Sequence, residues 1–587
     1  MKVMTQILTN HIGYDSASTK TAVLQLAPGA EERRPLRFEL RDYAGNISVF
    51  EGIPESCGEV DRWKTGVYYV LRFDSFSEDG KYYLAAVMED GEEIRSFPFE
   101  IARNLLELRT LSSVVYYFKM QRSTGEYEAI ERNMTIEPPR TGRFDVHGGW
   151  WDATGDLGVH LAERPRAVYS AHQQSSLVAY TLFKAHDLLE DSRNPEYVIL
   201  KRRILDEAMY GADFLMRMRA PEGGFFLSKS RGNEPFTPVM RSRYINSSRY
   251  GKFLPGGTGG AEDYGCSFRC GGGYAIAALA YAARTQYPSD YHQEEYLAAA
   301  VEAYDYLARN NTRYTVDGKW NLLDEYCALE ALVELYKTTR EFDYLRRARE
   351  IAARMAGKYI PLDETMGYLA YEDGTDLPYF NVTEAGAPMV SLLHYAEIEM
   401  EDTLRDRTIA LAEKLIRHEL AVTGEVANPF GYARQRVFHP DGRVETLFFY
   451  PHDTEVAPWW LGESARQASL AAAMRMMMEH TGDAALKAAC ERYADDQLNW
   501  ILGLNPFDSS MMHGHGRNNP YYFFQGRFDF PQTPGGIANG ITSAGNDEHG
   551  IEYITAPTPE IDDNYRWAEQ WVPHDAWYLL ALAEKKI

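Results

Sequence analysis

Cysteine is scarce in this sequence. The chain has five cysteines among 587 residues, too few and too widely scattered for a disulfide framework. Cys266 and Cys270 have the spacing of half a zinc site, but no nearby cysteine or histidine completes a ligand set. We therefore predict free thiols. We also expect no cofactor and no metal among the site residues, while a structural metal elsewhere stays open.

Long apolar segments are also missing. The first six residues lack the continuous apolar region of a signal peptide, and no later run is long enough to span a bilayer. These two absences lead us to expect a cytoplasmic protein that does not insert into a membrane.

Positive charge is in short supply. The chain has 61 lysines and arginines against 85 aspartates and glutamates, which gives a net charge of −24. Such a charge repels nucleic acid and anionic membranes and attracts a cationic ligand, although it also fits an ordinary acidic enzyme. We expect no nucleic-acid or membrane partner, and the oligomeric state stays open.

The spacing of apolar residues divides the chain into two regions. Residues 6–101 show short β-type runs broken by turns, which predicts a small β-sandwich with a packing role. After Asn104 the period changes from about 2 to about 3.6 residues, which indicates helices. Twelve helical stretches are predicted, approximately at 104–121, 167–188, 198–218, 270–285, 293–309, 323–338, 344–357, 388–399, 402–418, 462–480, 483–502 and 573–585. The long segments between them are rich in Gly, Pro and aromatics, which favours a functional role at one mouth of a barrel.

The segment 144–158 combines glycines, two adjacent tryptophans and two carboxylates. Flat indole faces stack on sugar rings, and carboxylates handle protons and water. We therefore predict that Trp150 and Trp151 bind a sugar and that Asp152 and Asp156 are catalytic. The alternative is a glycine-rich turn whose aspartates cap backbone groups and whose tryptophans pack.

A third carboxylate lies near the end of the chain, where Glu569 stands between Trp567 and Trp571. An apolar setting raises the pKa of a carboxyl group toward the range that a general acid needs. The alternative is a glutamate at a helix start that meets the helix dipole just before Pro573.

With both stretches in view, the sequence resembles glycoside hydrolase family 9, the cellulase family E. The opening of the chain, residues 10–14, resembles the Ig-like module that precedes many catalytic domains of that family. Further resemblance comes from residues 148–156, 324–326, 334–336, 503–506 and 565–577, with Ser510, Gly514, Gly516 and Pro520. The resemblance implies an all-β plus all-α chain: an Ig-like β-sandwich over 1–103, then an (α/α)6 barrel over 104–587.

The family inverts the anomeric configuration, so the resemblance implies an acid, and a base that activates water. Asp156 would be the base, Asp152 its partner on the water and Glu569 the acid. The family motif has two residues between the aspartates, whereas this chain has the three residues 153–155. That extra residue leaves open a swap of the base to Asp152.

A second departure concerns a Pro-His-x-Arg segment of the family. Here Pro520 is followed by aromatic residues, with His513 and His515 upstream. Either histidine is a candidate substitute for the missing substrate contact, and a structural loop histidine is the alternative.

Two acidic and aromatic clusters complete the predicted substrate site. Carboxylates that are partly buried favour an ammonium group, while solvated loop acids or helix caps are the alternative. Asp324 and Glu325 are expected to brace the barrel. The additional substrate-binding candidates are His452, Asp453, Glu455, Trp459, Trp460, Asp562, Asp563, Trp567 and Trp571.

These observations predict an inverting glycosidase that cleaves short β-1,4-linked oligosaccharides from the non-reducing end. The favoured substrate is a chitosan oligosaccharide, which makes the enzyme an exo-β-D-glucosaminidase. The alternatives are a cellodextrinase or β-glucosidase, an endoglucanase acting on β-1,4-glucan and, from another class, a non-catalytic sugar-binding protein. The intact aspartate pair disfavours a phosphorylase.

Overall fold

The computed structural model describes most of the chain. The described residues are 4–30, 32–136, 141–155, 158–163, 171–231, 238–240, 264–315, 317–452, 460–529, 532–559 and 561–585. In this part of the chain, no helix is both long and apolar enough to cross a membrane.

The first region is a sandwich of two sheets. One sheet has the strand order β1-β3-β7-β6, and the other has the order β2-β10-β8-β4-β5 with β9 beside β8. Apolar and polar side chains alternate as a half-buried strand requires: in β10, Phe99 and Ile101 are buried and Glu100 between them is not. The strands are β1 Gln6–Leu8, β2 Gly13–Asp15, β3 Thr21–Leu26, β4 Pro35–Asp42, β5 Ser48–Gly52, β6 Glu55–Glu59, β7 Val67–Arg72, β8 Gly80–Met88, β9 Glu93–Arg95 and β10 Phe99–Ala102.

The second region is helical. Its helices are α1 Leu105–Gln121, α2 Glu126–Glu131, α3 Ser175–Asp191, α4 Val198–Arg217, α5 Gly273–Ala282, α6 Gln293–Tyr314, α7 Leu322–Thr339, α8 Phe342–Gly357, α9 Ala387–Ile398, α10 Asp402–Gly424, α11 Ser464–His480, α12 Ala484–Ile501, α13 Tyr565–Ala568 and α14 Val572–Ala583. Short strands lie in the connections: β11 Met134–Ile136, β12 Arg143–Phe144, β13 Gly158–His160, β14 Ser228–Arg231, β15 Pro238–Met240, β16 Tyr359–Pro361, β17 Gly367–Leu369, β18 Gln435–Phe438, β19 Val444–Leu447, β20 Thr542–Ala544 and β21 Asp547–Glu552.

Six of the helices form a closed inner ring. In the order α3, α5, α7, α9, α11 and α14, each helix contacts the next, and α14 contacts α3. The helices α1, α4, α6, α8, α10 and α12 lie outside, each packed on a member of the ring. Burial explains the division, because α5 and α14 are buried along their whole length, whereas α8 buries only one face. The predicted β-sandwich and (α/α)6 barrel are confirmed.

Each of the twelve predicted helical stretches corresponds to a helix, although the ends differ. The stretch predicted from 167 is helical from Ser175, and the one predicted from 270 becomes α-helical at Gly273. The helices α2 and α13 were not predicted, because six and four residues are too short for a helical period to show.

The starts of the inner helices meet at one end of the barrel. The side chain of Gln173, just before α3, donates to the carbonyl of Arg269, just before α5, at 2.5 Å. Its backbone N–H donates to Glu384, just before α9, at 2.5 Å. The inner helices therefore run parallel, and their N-terminal ends form one face of the barrel.

The sandwich packs against the barrel through the segment that follows β1. Asn10 donates to Asn499 of α12 at 2.8 Å, and His11 Nε2 lies 3.0 Å from Asp508 Oδ1. Trp63 adds an apolar contact, with its ring 6.1 Å from that of Trp500. These contacts give the sandwich the packing role that the sequence predicted.

Candidate active site

The two stretches singled out in the sequence lie side by side in the structure. Ala153 and Trp571 form an antiparallel bridge. Thr154 N donates to Gln570 O at 2.9 Å, and Val572 N donates to Asp152 O at 3.0 Å. The pairing brings the aspartate loop against the Glu569 segment at the N-terminal end of the inner ring.

Asp152 is held firmly in this arrangement. Its side chain is buried, and Gln174, the last residue before α3, donates to its Oδ2 at 3.2 Å. His160 Nε2 lies 3.8 Å from the same oxygen. A helix N-terminus stabilises negative charge nearby, so the start of α3 suits a fixed carboxylate.

Asp156 lies outside the described residues, so its catalytic role and the choice of base remain predictions. Gly155, within the three-residue spacer, has a φ of 80°. Only glycine adopts this backbone conformation readily, so the spacer turns sharply at this point.

Glu569 is half-buried and belongs to neither neighbouring helix. It follows α13 with extended backbone angles, φ −68° and ψ 128°. Asn539 N donates to its carbonyl at 2.9 Å. Because α14 begins only at Val572, Glu569 is not part of a helix start. The geometry therefore disfavours the alternative interpretation of this residue.

Tyr117 of α1 lies beneath the pairing, and sequence reasoning missed it. Burial raises the pKa of its phenol well above the usual range, and the nearby carboxylates of Asp575, Asp152 and Glu569 raise this pKa further. Those contributions place the three acids around one neutral phenol. Its hydroxyl makes no hydrogen bond to a described residue.

Asp575 is a second missed acid. It lies in the first turn of α14, is fully buried and accepts a hydrogen bond from Ile537 N at 3.1 Å. Burial raises the pKa of this carboxyl well above its usual value. This buried acid lies near Tyr117, as the candidate catalytic carboxylates do, and only the packing of α14 reveals it.

Three of the six predicted indole platforms are buried in the core. Trp150 is fully buried and donates to Glu207 at 2.8 Å, and buried Trp567 donates to Thr542 at 2.8 Å. Trp571 is 6% exposed and meets His172 edge-on. A sugar needs an open ring face, so this burial favours packing for the three rings, and their substrate-binding role stays a prediction. Trp151 is half-buried and keeps part of its surface open.

Comparison with protein families gives two matches. Residues 109–549 match the model of glycosyl hydrolase family 9, and residues 2–90 match the cellulase N-terminal ig-like domain. The first match covers more than half of the chain. This protein belongs to glycosyl hydrolase family 9. It is accordingly a glycoside hydrolase, and an inverting mechanism is consistent with that family.

Solved structures share the fold over nearly the whole length. A metagenome-derived family 9 endoglucanase matches with a TM-score of 0.66 and 20% identity over 98% of both chains. A family 9 protein of Bacteroides ovatus has a TM-score of 0.64 and 18% identity over 98% of both. A thermostable endoglucanase of Alicyclobacillus acidocaldarius has 0.62 and 17% over 99% of both. Among curated proteins, none matches the chain.

Two further substrate-binding candidates of this family 9 hydrolase, His452 and Trp460, pack against each other. Their ring centroids are 4.2 Å apart, and the guanidinium of Arg566 lies 4.2 Å from the Trp460 ring. Burial and the charge of Arg566 lower the pKa of His452 to about 4, so its imidazole is neutral at ordinary pH. The candidates Asp453, Glu455 and Trp459 lie outside the described residues.

His513 lies in line with the paired segments. Met512 bridges Ile537, and Ala538 bridges Gln570, so residues 537–538 connect the segment that carries His513 to the acid segment. Burial lowers the pKa of both His513 and His515, which leaves two neutral imidazoles near the site.

The remaining acidic candidates are more open to solvent. Asp562 is exposed and Asp563 is half-buried, both shortly before α13. Their exposure is compatible with the solvated alternative as well as with contact to a cationic sugar.

The acids that were expected to brace the barrel are buried in ion pairs. Asp324 lies 3.6 Å from Arg269, and Glu325 lies 2.7 Å from Lys358. Both pairs lie at the start of α7, and they fix the N-terminal end of the ring.

Proposed function

We propose that this family 9 hydrolase cleaves β-1,4-linked oligosaccharides with inversion. Glu569 protonates the leaving oxygen, while Asp152 and Asp156 hold and deprotonate the attacking water. The antiparallel pairing of residues 152–154 with 570–572 carries the proposal, since it joins the acid segment to the aspartate loop.

The surroundings of Asp152 and Glu569 support their different roles, Asp152 as an ionised group on the water and Glu569 as the acid. Asp152 accepts a hydrogen bond from Gln174 at the start of α3, an arrangement that favours the ionised form. Glu569 lies outside the helix starts and stands near the buried phenol of Tyr117, whose pKa is raised well above its usual range. A half-buried acid in such company suits proton donation.

The stereochemical course is the direct test. NMR of the first product from a β-linked substrate should show the α-anomer before mutarotation. A β-anomer would contradict an inverting mechanism.

The two aspartates can be separated by chemical rescue. We expect Asp156→Ala to lose nearly all activity and Asp152→Ala somewhat less, and azide to restore turnover in the variant that lacks the base. Rescue of Asp152→Ala alone would show that the longer spacer has exchanged their roles, and rescue of neither would argue against an aspartate base.

For the substrate, we propose a glucosamine unit at the non-reducing end of a short chitosan oligosaccharide. The acids Asp562 and Asp563 support it, because they stand on the segment that leads into α13 and Glu569. A protonated amine that meets a partly desolvated carboxylate gains about 1.5–3 kcal/mol. That gain corresponds to a roughly 10- to 150-fold preference in kcat/KM over glucose.

A panel of chitosan and cellulose disaccharides tests this specificity. The preference should fall as pH rises through the amine pKa and vanish on N-acetylation. Asp563→Asn should narrow it while leaving cleavage of glucosides intact, and Asp562→Asn is the matched variant at the exposed position.

Hydrolysis of β-1,4-glucan is the second candidate, as two of the similar solved structures are described as endoglucanases. Equal or faster turnover of cello-oligosaccharides would favour this activity over the glucosaminidase.

A further inference from the structure

A cluster of potential metal ligands lies on two hairpins beside the candidate site. One hairpin is β18–β19, with His439 just after β18 and Glu445 on β19. The other is β20–β21, with Glu548 on β21. One ligand atom from each of these three side chains can be chosen so that all three lie within 4.8 Å of one another.

The distances suit a small divalent ion. His439 Nε2 lies 2.7 Å from Glu445 Oε1 and 4.0 Å from Glu548 Oε2. In a tetrahedral zinc site, with bonds of about 2.0–2.2 Å, neighbouring ligand atoms are about 3.4 Å apart. The two distances from His439 lie on either side of that value.

His439 gives an independent sign that a ligand belongs here. The residue is only 7% exposed. Its Nε2 lies 2.7 Å from Glu445 Oε1 and 4.0 Å from Glu548 Oε2, yet it makes no well-aligned hydrogen bond to either carboxylate. Two ligands of one ion show such close contact without hydrogen-bond alignment, and the imidazole nitrogen is the commonest metal ligand in proteins.

Charge also favours a cation between the hairpins. Glu445 and Glu548 are partly buried, with side-chain exposures of 19% and 23%. Arg443 also contacts Glu445, but its side chain is 52% exposed and can turn toward solvent. A divalent ion would balance both carboxylates at once. His549, with Nε2 3.2 Å from Glu445 Oε2, offers a fourth ligand.

We propose that His439, Glu445 and Glu548 bind a divalent cation of the zinc class, with His549 as the fourth ligand. Mixed imidazole and carboxylate ligands favour such borderline ions over calcium, which takes six to eight oxygens. The inference does not depend on the proposed substrate or mechanism.

The site would have a structural consequence for the substrate region. Glu548 Oε1 accepts a hydrogen bond from His452 N at 2.6 Å. An ion held by Glu548 and by the β18–β19 hairpin would therefore fix the backbone of His452. That residue leads into the segment that carries Asp453 and Glu455.

Zinc itself is the probe. Full-length enzyme is stripped with EDTA, dialysed against micromolar Zn²⁺ and analysed for bound metal. We expect about one equivalent of Zn²⁺ per chain in the wild type and a rise of several degrees in Tm. Both effects should disappear in Glu548→Gln and in His439→Gln.

His186→Gln is the matched control, because His186 also stands beside a carboxylate, with Nδ1 3.2 Å from Asp187, but lies outside the cluster. It should bind zinc like the wild type. If the buried change at His439 prevents folding, Glu548→Gln still decides, since its side chain is partly exposed. Zinc binding that is absent, that persists in Glu548→Gln, or that is replaced by Ca²⁺ binding would overturn the proposal.

Discussion

Two buried glutamates at opposite ends of the barrel differ in the direction of their pKa shift. Glu384 precedes α9 at the N-terminal end, and Glu334 lies near the C-terminal end of α7. Burial raises the pKa of Glu384 to about 7, against hydrogen bonds from Gln173 and Tyr326. Burial acts in the same direction on Glu334, but Arg284 and other nearby cations hold its pKa down at about 2. Burial acts to raise the pKa of both carboxyl groups, and the nearby cations reverse the direction for Glu334.

The ends of the barrel follow the same division. At the C-terminal end, a cavity of about 860 Å³ is lined by the cations Lys184, Arg284, Lys337 and Arg340 together with acids. The C-terminal ends of six inner helices carry partial negative charge, which these cations offset. The N-terminal end keeps Glu384 and Asp575 without such compensation, next to the candidate catalytic carboxylates. We call the C-terminal end the structural end and the N-terminal end, which carries the candidate catalytic carboxylates, the chemical end.

The largest expected effect tests the chemical end. Glu569→Gln should lower kcat/KM by about 10²- to 10⁴-fold, because the amide cannot donate the proton. Tm should stay near that of the wild type, since the side chain is only half-buried. Glu334→Gln is the control at the other end, and its folded enzyme should remain active. A fully active Glu569→Gln variant would show that Glu569 is not the general acid.

Removal of the cation at the structural end should cost stability. Arg284→Met leaves Glu334 buried without its main partner, a change that typically costs about 3–5 kcal/mol. In the wild type, the depressed pKa of Glu334 supplies stability above pH 4.5 that is lost as pH falls toward 2. Urea unfolding across this range should show the acid loss in the wild type only.

The double variant Arg284→Met/Glu334→Gln should regain part of that stability, because no buried charge is left. If the double variant is no more stable than Arg284→Met, the unpaired charge of Glu334 is not the cause of the lost stability.

Glu384 should have the opposite pH dependence. Its pKa is raised in the folded state, so stability is full below pH 4.5 and falls as pH rises toward 7. A shift of this size corresponds to roughly 3 kcal/mol. Glu384→Gln should flatten the decline, as measured by urea unfolding between pH 4 and 8. An unchanged slope would place the titration in another group.

The smallest effect concerns the neutral imidazole. His452→Gln can keep a hydrogen bond to Ser543 but loses the ring that packs on Trp460. One neutral hydrogen bond to substrate is worth about 0.5–1.5 kcal/mol, so KM should rise about 2- to 10-fold. An unchanged KM would assign His452 to packing alone.

The sequence predicted the architecture because periodicity and local motifs are written along the chain. The inner helices have few polar positions, and the carboxylates Asp152 and Glu569 stand in recognisable motifs. The sequence does not show which side chains become buried. Trp150 and Trp567 have the composition of a sugar platform, but neighbouring helices and loops cover their faces.

The residues that sequence reasoning missed depend on long-range packing. Tyr117 and Asp575 meet only when α1 and α14 pack together. The proposed zinc ligands come from two hairpins about a hundred residues apart. No local spacing in the sequence indicates such a site, and no metal was predicted among the site residues.

The bridge between Ala153 and Trp571 joins an early and a late part of the chain, so the proposed catalytic residues can meet only after the C-terminal segment has been synthesised. Thr154 and Gln570, which flank the bridge, are 416 residues apart in the chain. A growing polypeptide that has not yet reached α13 has the aspartate loop but no Glu569, and its inner ring is open between α11 and α3. With Glu569 as the proposed acid, we expect hydrolysis only after the C-terminal segment has docked on the aspartate loop. A chain that ends before Glu569 should be inactive, however well its other helices have folded.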